Sequence, residues 1–108
     1  DREAAERVLP LAADKGVAVM CNIHFGGSGQ SSLFDVVEGQ ELPAFAADFG
    51  AESWGQFFLK YIISHPAVTV AIPGTRQVRH ANDNVGAAMG RLPDASERRQ
   101  MEQWFDSL

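Results

Sequence analysis

Between Thr75 and Arg79 the chain places one hydroxyl and two guanidinium groups in the run Thr75-Arg-Gln-Val-Arg79. They fall where a short apolar run ends and a helical pattern begins. Unbonded N–H groups of a first helical turn, a hydroxyl and Arg side chains together make an anion site, and a phosphate suits them best. A second set, Gly26-Gly27, lies in a Ser- and Gly-rich stretch over 22–40 and offers successive amides that can form an anion-binding concavity. Both have plain alternatives. Most strand–turn–helix junctions bind nothing, and a glycine run also serves as a simple flexible connection. Tyr61, with Lys60 beside it and His65 one turn on, mimics part of a proton-donating Tyr–Lys–His set. However, Tyr61 belongs to an apolar helical stripe and Lys60 points elsewhere on the helix, so the group reads as structural. Cys21, the only cysteine, ends an apolar run and reads as a buried thiol rather than a nucleophile. No catalytic residue and no metal-ligating set is assigned.

The elements that must hold these groups follow from patterning. Residues 68–72 and 17–21 are short, nearly continuous apolar runs, as expected of strands covered on both faces in a parallel sheet. Pro73-Gly74 stops the later run, because proline cannot donate to a ladder and glycine permits positive φ. Residues 77–89 carry Val78, Ala81, Val85 and Ala88 at helical spacing, and Thr75 stands where a hydroxyl can bond amides of the first turn. Residues 1–14 read as an amphipathic helix kinked at Pro10 and ended by Gly16. Residues 42–49 and 53–64 read as a broken helix pair, with Pro43 opening the first, Gly50 ending it and Ser53 capping the second. Trp54, Phe57, Phe58, Tyr61 and Ile62 form its core stripe. A last helix over 95–107 is capped by Asp94 or Ser96, with Met101, Trp104 and Phe105 inward and Glu97, Arg98, Arg99 and Glu102 toward water.

The totals narrow the function classes. The 108 residues allow one domain at most, and 45% of them are apolar, ordinary for a soluble globular protein. No apolar run approaches the ~20 residues of a membrane helix, and no signal peptide is visible. Residue 1 is Asp, so the chain is expected to begin inside a longer protein. The net charge is −5, with no Lys or Arg between Lys15 and Lys60, which speaks against an extended nucleic-acid footprint. A single cysteine fits a reducing compartment, and a cytoplasmic location is expected.

Three stretches in order resemble one family. Ile72-Pro-Gly-Thr-Arg76, followed by His80, Asp83 and Asn84, resembles the segment after the last barrel strand of aldo-keto reductases. Residues 53–66 are similar to the helix before that strand. Val17-Ala-Val-Met-Cys-Asn-Ile-His-Phe-Gly-Gly27 is similar to the seventh strand and its phosphate loop, and the Ile-Pro-Gly wording matches a bacterial group of the family. The resemblance implies an α/β fold, the C-terminal part of a (β/α)8 barrel, amounting to about its last quarter over residues 1–108. It implies NADP as cofactor. Gly74, Thr75, Arg76, His80, Asp83 and Asn84 would hold the adenosine phosphate, and Asn22, Ile23, Phe25 and Gly26 would pass over the pyrophosphate. His24 stands where the family has proline, Asn22 where many members have a stacking aromatic, Gly74 where many have Lys, and His80 where many have Arg. The family's catalytic Asp–Tyr–Lys–His tetrad cannot be located here, so the chain alone is expected to be an inactive portion of an NADPH-dependent carbonyl oxidoreductase. The alternative is a free-standing truncated module that self-associates through its exposed strands and serves binding or structural ends. Two strands alone leave edges unpaired, so either missing barrel strands or a second copy is expected against them.

Overall fold

The computed structural model of the protein describes residues 2–26 and 32–108. Gly27, Ser28, Gly29 and Ser31 of the glycine-rich loop, like Asp1, lie outside the described residues. The chain begins with helices α1 (Glu3–Glu6) and α2 (Val8–Lys15) rather than one helix kinked at Pro10. The break falls at Arg7, with φ −126° and ψ −52°. Pro10 is the third residue of α2, where its missing N–H has no intrahelical acceptor to lose, while its ring crowds the carbonyl four residues back and so ends α1. Gly16, at φ 64°, closes α2 in the left-handed region.

The sheet consists of β1 (Met20–Cys21) and β2 (Val70–Ala71), parallel and in the register Met20↔Val70, Cys21↔Ala71. Both are shorter than the apolar runs that contain them. Beyond the ladder, the Thr69 and Val70 amides both donate to the Val19 carbonyl, at 2.9 and 3.1 Å, and the Ile72 amide donates to the Cys21 carbonyl at 3.0 Å. Within these residues the strands are not covered on both faces: Val17 is 60%, Met20 65% and Ile72 48% exposed, and Cys21 is only half-buried. Each strand has one partner among the described residues, so the outer edges and much of the sheet surface meet nothing.

The core sits instead around α4 (Trp54–Ile63), where Ser53 caps the first turn by accepting the Gln56 amide at 3.1 Å. Gly55 to Lys60 are buried in succession, so this helix is enclosed on nearly all sides. Phe57 and Phe58 pack with Val37, Ala46, Phe49, Ala51 and Met101, and Trp54, Tyr61, Trp104 and Phe105 border that cluster. Residues 42–49 yield a 3-10 helix, Ala44–Phe49, rather than an α-helix, closed by Gly50 at φ 68°. The polar stretch before it holds a short helix, α3 (Leu33–Val36), opened by a Ser32–Asp35 capping box.

Two helices follow β2. In α5 (Val78–Gly86) the apolar stripe is turned outward: Val78 is 76% and Val85 65% exposed, and Met89, just past the helix, is 67% exposed. The side packed on α4 carries Asp83, Asn84 and Gly86 instead. A Cβ on Gly86 would lie 2.6 Å from the Gln56 amide nitrogen, so glycine there is what allows the close approach. The last helix, α6 (Ala95–Asp106), is capped by Asp94 rather than Ser96, in a reciprocal box with Glu97.

The polar side of α6 does not simply face water. Arg98 lies 4.1 Å over the Tyr61 ring and donates to the Ser64 hydroxyl at 2.8 Å and to the Tyr61 carbonyl. Glu102 takes the Tyr61 hydroxyl at 2.5 Å. Glu97 is gripped by Arg91 at 2.7 Å and accepts the Asp94 amide at 2.8 Å. The Arg91 hydrogen bond first, then the Asp94 amide, hold the Glu97 carboxyl down to about 2 from an ordinary 4.5. A carboxyl lowered in the folded state adds stability above its unfolded value and loses it as pH falls through the folded one. Acid unfolding followed by circular dichroism should therefore show stability draining from about 4.5 toward about 2, and Glu97→Gln should flatten that limb.

Candidate functional site

Parallel pairing in this register brings the segments after both strands, Asn22 to Gly26 and Ile72 to Arg76, to the same end of the sheet. That end, beyond the carboxyl termini of parallel strands, is where open α/β sheets receive ligands. Past β2, Ile72 to Thr75 run on without a turn, the chain bends at Arg76, and the Thr75 hydroxyl accepts the Gln77 amide at 3.1 Å. Gln77 then enters α5 without capping it by its side chain, in contrast to Ser32, Ser53 and Asp94 at the starts of α3, α4 and α6. Backbone amides of a first turn have no intrahelical acceptor, so those of α5 point outward as donors.

The cationic groups stand around that start. Arg76, Arg79 and His80 are all exposed. The Arg79 Nε donates to Gln77 Oε1 at 2.8 Å, which ties its guanidinium to the helix start. A Cβ built on Gly74 would meet nothing within 4 Å, so there is open space over its backbone. Thr75, Arg76 and Arg79 thus stand next to one another at the start of α5, and neither arginine is in an ion pair with a carboxylate among the described residues.

The other nominated residues divide. Asn22 and Gly26 are exposed, and Gly26 has φ 96°. Ile23 is 66% exposed at φ 52°, a conformation that a β-branched side chain adopts only under strain. Phe25 turns its ring into the core, 4.9 Å from Phe34 and 6.5 Å from Phe58, and its carbonyl accepts the Leu33 amide at 2.9 Å. Asp83 faces α4, accepting the Ser53 hydroxyl at 2.6 Å and the Gln56 amide at 2.9 Å. Asn84 is half-buried beside it. The structure thus gathers Thr75, Arg76, Arg79 and His80 at one helix end, while Phe25 and Asp83 serve the packing that holds it.

Sequence reasoning missed the Ser53–Asp83–Gln56 tie, although two polar residues at the start of an apolar helix were its visible trace. It takes His24 only as a replacement for proline and does not foresee its burial: the residue is 8% exposed with an Nε2 that has no hydrogen-bond partner among the described residues. Burial lowers the His24 pKa, outweighing the nearby Cys21 carbonyl. The Tyr61, Lys60 and His65 groups are spread apart in use: Tyr61 goes to Glu102, His65 accepts the Ala67 amide at 3.1 Å, and Lys60 donates to the Met89 and Arg91 carbonyls at 2.8 and 3.0 Å.

The family model for aldo/keto reductases matches residues 1–103, nearly the whole chain and both loops at the sheet end. The chain belongs to the aldo/keto reductase family. Neither a curated protein nor a solved structure matches it. For an aldo/keto reductase the nicotinamide cofactor is the group whose fit to this site matters. The donor set at Thr75–His80 is of the kind that holds a phosphate monoester: unopposed amides, a hydroxyl, and guanidinium and imidazole groups on an open surface. Among the described residues no helix is long and apolar enough to cross a membrane, and no group of three or more His, Cys, Asp or Glu side chains is placed to hold a metal.

Proposed function

We propose that this chain forms the NADP-holding end of an aldo/keto reductase barrel and that the hydride-transfer machinery is completed by groups outside these residues. The observation that carries this role is the uncapped start of α5, with Thr75, Arg76, Arg79 and His80 around it, at the carboxyl end of a parallel strand pair. The adenosine 2′-phosphate would sit against the first-turn amides, Thr75 and Arg76, with His80 beside them. Gly74 lets the backbone approach, and Asn22, Ile23 and Gly26 flank the pyrophosphate path. Asp83 acts from behind by seating α5 on α4, with Asn84 half-buried beside it. When bound, the nicotinamide would supply the hydride for carbonyl reduction, and this chain's share is to bind and orient its nucleotide half. Further parallel strands, or a second copy of the chain, would cover the exposed edges of β1 and β2 and the outer Val78–Val85–Met89 stripe of α5, consistent with the bare apolar surface there.

NADP should bind more tightly than NAD, because only NADP offers the extra phosphate. Arg76→Ala should shrink that preference by about 1 kcal/mol, the exposed end of the 1–3 kcal/mol range for charge-assisted hydrogen bonds. Calorimetric titration of both nucleotides into the wild type and the variant checks this. Equal affinity for the two nucleotides in the wild type would remove the 2′-phosphate assignment.

A further inference from the structure

Away from the α5 start, α4 and α6 line a half-open cavity of about 120 Å³. Phe57 and Phe58 from α4, Met101 and Phe105 from α6, and Leu33 from α3 form its walls. One end is polar, where the Tyr61 hydroxyl donates to Glu102 at 2.5 Å. We propose that this cavity is a binding site for a small neutral aromatic molecule carrying one hydrogen-bond donor, of the size of phenol or indole, its ring among the phenylalanines and its O–H or N–H on the Glu102 carboxylate.

Size, walls and charge each select that class. An apolar cavity of ~150 Å³ holds benzene, so about 120 Å³ admits a single ring, and a fused second ring extends through the open side. The walls already pack edge to face, with Phe58 and Phe105 at 82° and 6.2 Å, and Phe57 and Phe58 at 77° and 5.9 Å. A further ring extends that arrangement at the separations aromatic pairs favour. The Glu102 carboxylate spends one acceptor position on Tyr61 and has others for a ligand donor. Arg98 on the Tyr61 ring and Arg2 at the rim, itself paired with Asp106, disfavour a cationic ligand, and Glu102 disfavours an anionic one. A neutral donor is what remains. Burial, then the Glu102 hydrogen bond, push the Tyr61 hydroxyl up to about 12, so it stays protonated and keeps its bond to Glu102 in place.

Titration of phenol, indole, benzene and benzoate into the whole chain, followed by calorimetry and by NMR, tests the site. Phenol and indole should saturate with Kd on the order of 0.1–1 mM, benzene more weakly, and benzoate not at all. Glu102→Gln should weaken phenol about fivefold and leave benzene unchanged, because a neutral acceptor replaces a charged one. Leu33→Trp, which puts an indole ring in place of a wall residue and takes up the space, should abolish binding of all. If that variant does not fold, nuclear Overhauser contacts between phenol and the Met101 methyl in the wild type decide the location. Absence of saturable phenol and indole binding, equal phenol affinity in Glu102→Gln, or contacts that bypass Met101 would each overturn the proposal.

Discussion

Replacing Phe57 by alanine should cost about 3–5 kcal/mol, the usual range for a fully buried phenylalanine. The ring is 2% exposed, and Phe45, Phe49, Trp54, Phe58 and Trp104 surround it at centroid separations of 6.2, 6.1, 5.5, 5.9 and 6.1 Å. Among the described residues Phe57 joins the 3-10 helix, α4 and α6 through these rings, so the hole left by truncation cannot close by moving one side chain. A domain of this length holds only about 5–15 kcal/mol of net stability, so a cost of about 3–5 kcal/mol is a fifth of it at the least. Urea unfolding followed by tryptophan fluorescence, with Trp54 and Trp104 both in the affected cluster, reads the loss directly. A cost below about 1 kcal/mol would mean that the core is not centred on α4.

Lys60→Met should cost roughly 2–3 kcal/mol although the new side chain is apolar and of similar length. The Lys60 side chain is fully buried, and among the described residues its ammonium is what donates to the Met89 and Arg91 carbonyls in the link between α5 and α6. Hydrogen bonds from a charged group are worth more than neutral ones, and their loss strands two part-buried acceptors. Burial, and then the neighbouring Arg91, lower the Lys60 pKa, so part of the gain from these bonds is offset by the cost of enclosing the charge. The urea midpoint should fall with an unchanged denaturant slope, and Phe57→Ala combined with Lys60→Met should be close to additive if the two act on separate contacts. An unchanged midpoint would show that water replaces the ammonium without loss.

The elements around the candidate site were legible because local chemistry dictates them. Pro73-Gly74 ends a strand wherever it occurs, Ser53 and Asp94 cap helices through their own side chains, and the three- and four-residue spacing from Trp54 to Tyr61 marks a packed stripe. What escaped was which partner each face meets. The stripe Val78–Val85 looked inward by periodicity, yet α5 turns Asp83 and Gly86 to α4, because a carboxylate bonded to Ser53 and Gln56 and a glycine permit closer packing there than valines would. Lys60 sits among consecutive buried residues of a helix enclosed on nearly all sides, a case that an amphipathic pattern does not describe. Arg98 and Glu102, one turn apart on α6, read as a solvated pair, but the chain's one tyrosine lies opposite and takes both. The strands came out at two residues each rather than five because ladder length depends on neighbours, and each has a single partner here.

The claim at the centre is that the start of α5 holds the adenosine phosphate of NADP. Amide-resolved NMR titration of the whole chain tests it most directly. With NADP, the backbone amides from Thr75 to His80 should shift together and saturate, those of Asn22 and Gly26 should follow, and NAD at the same concentration should leave the Thr75–His80 set nearly still. Equal shifts with NAD and NADP, or saturating shifts elsewhere with the Thr75–His80 amides unmoved, would contradict it.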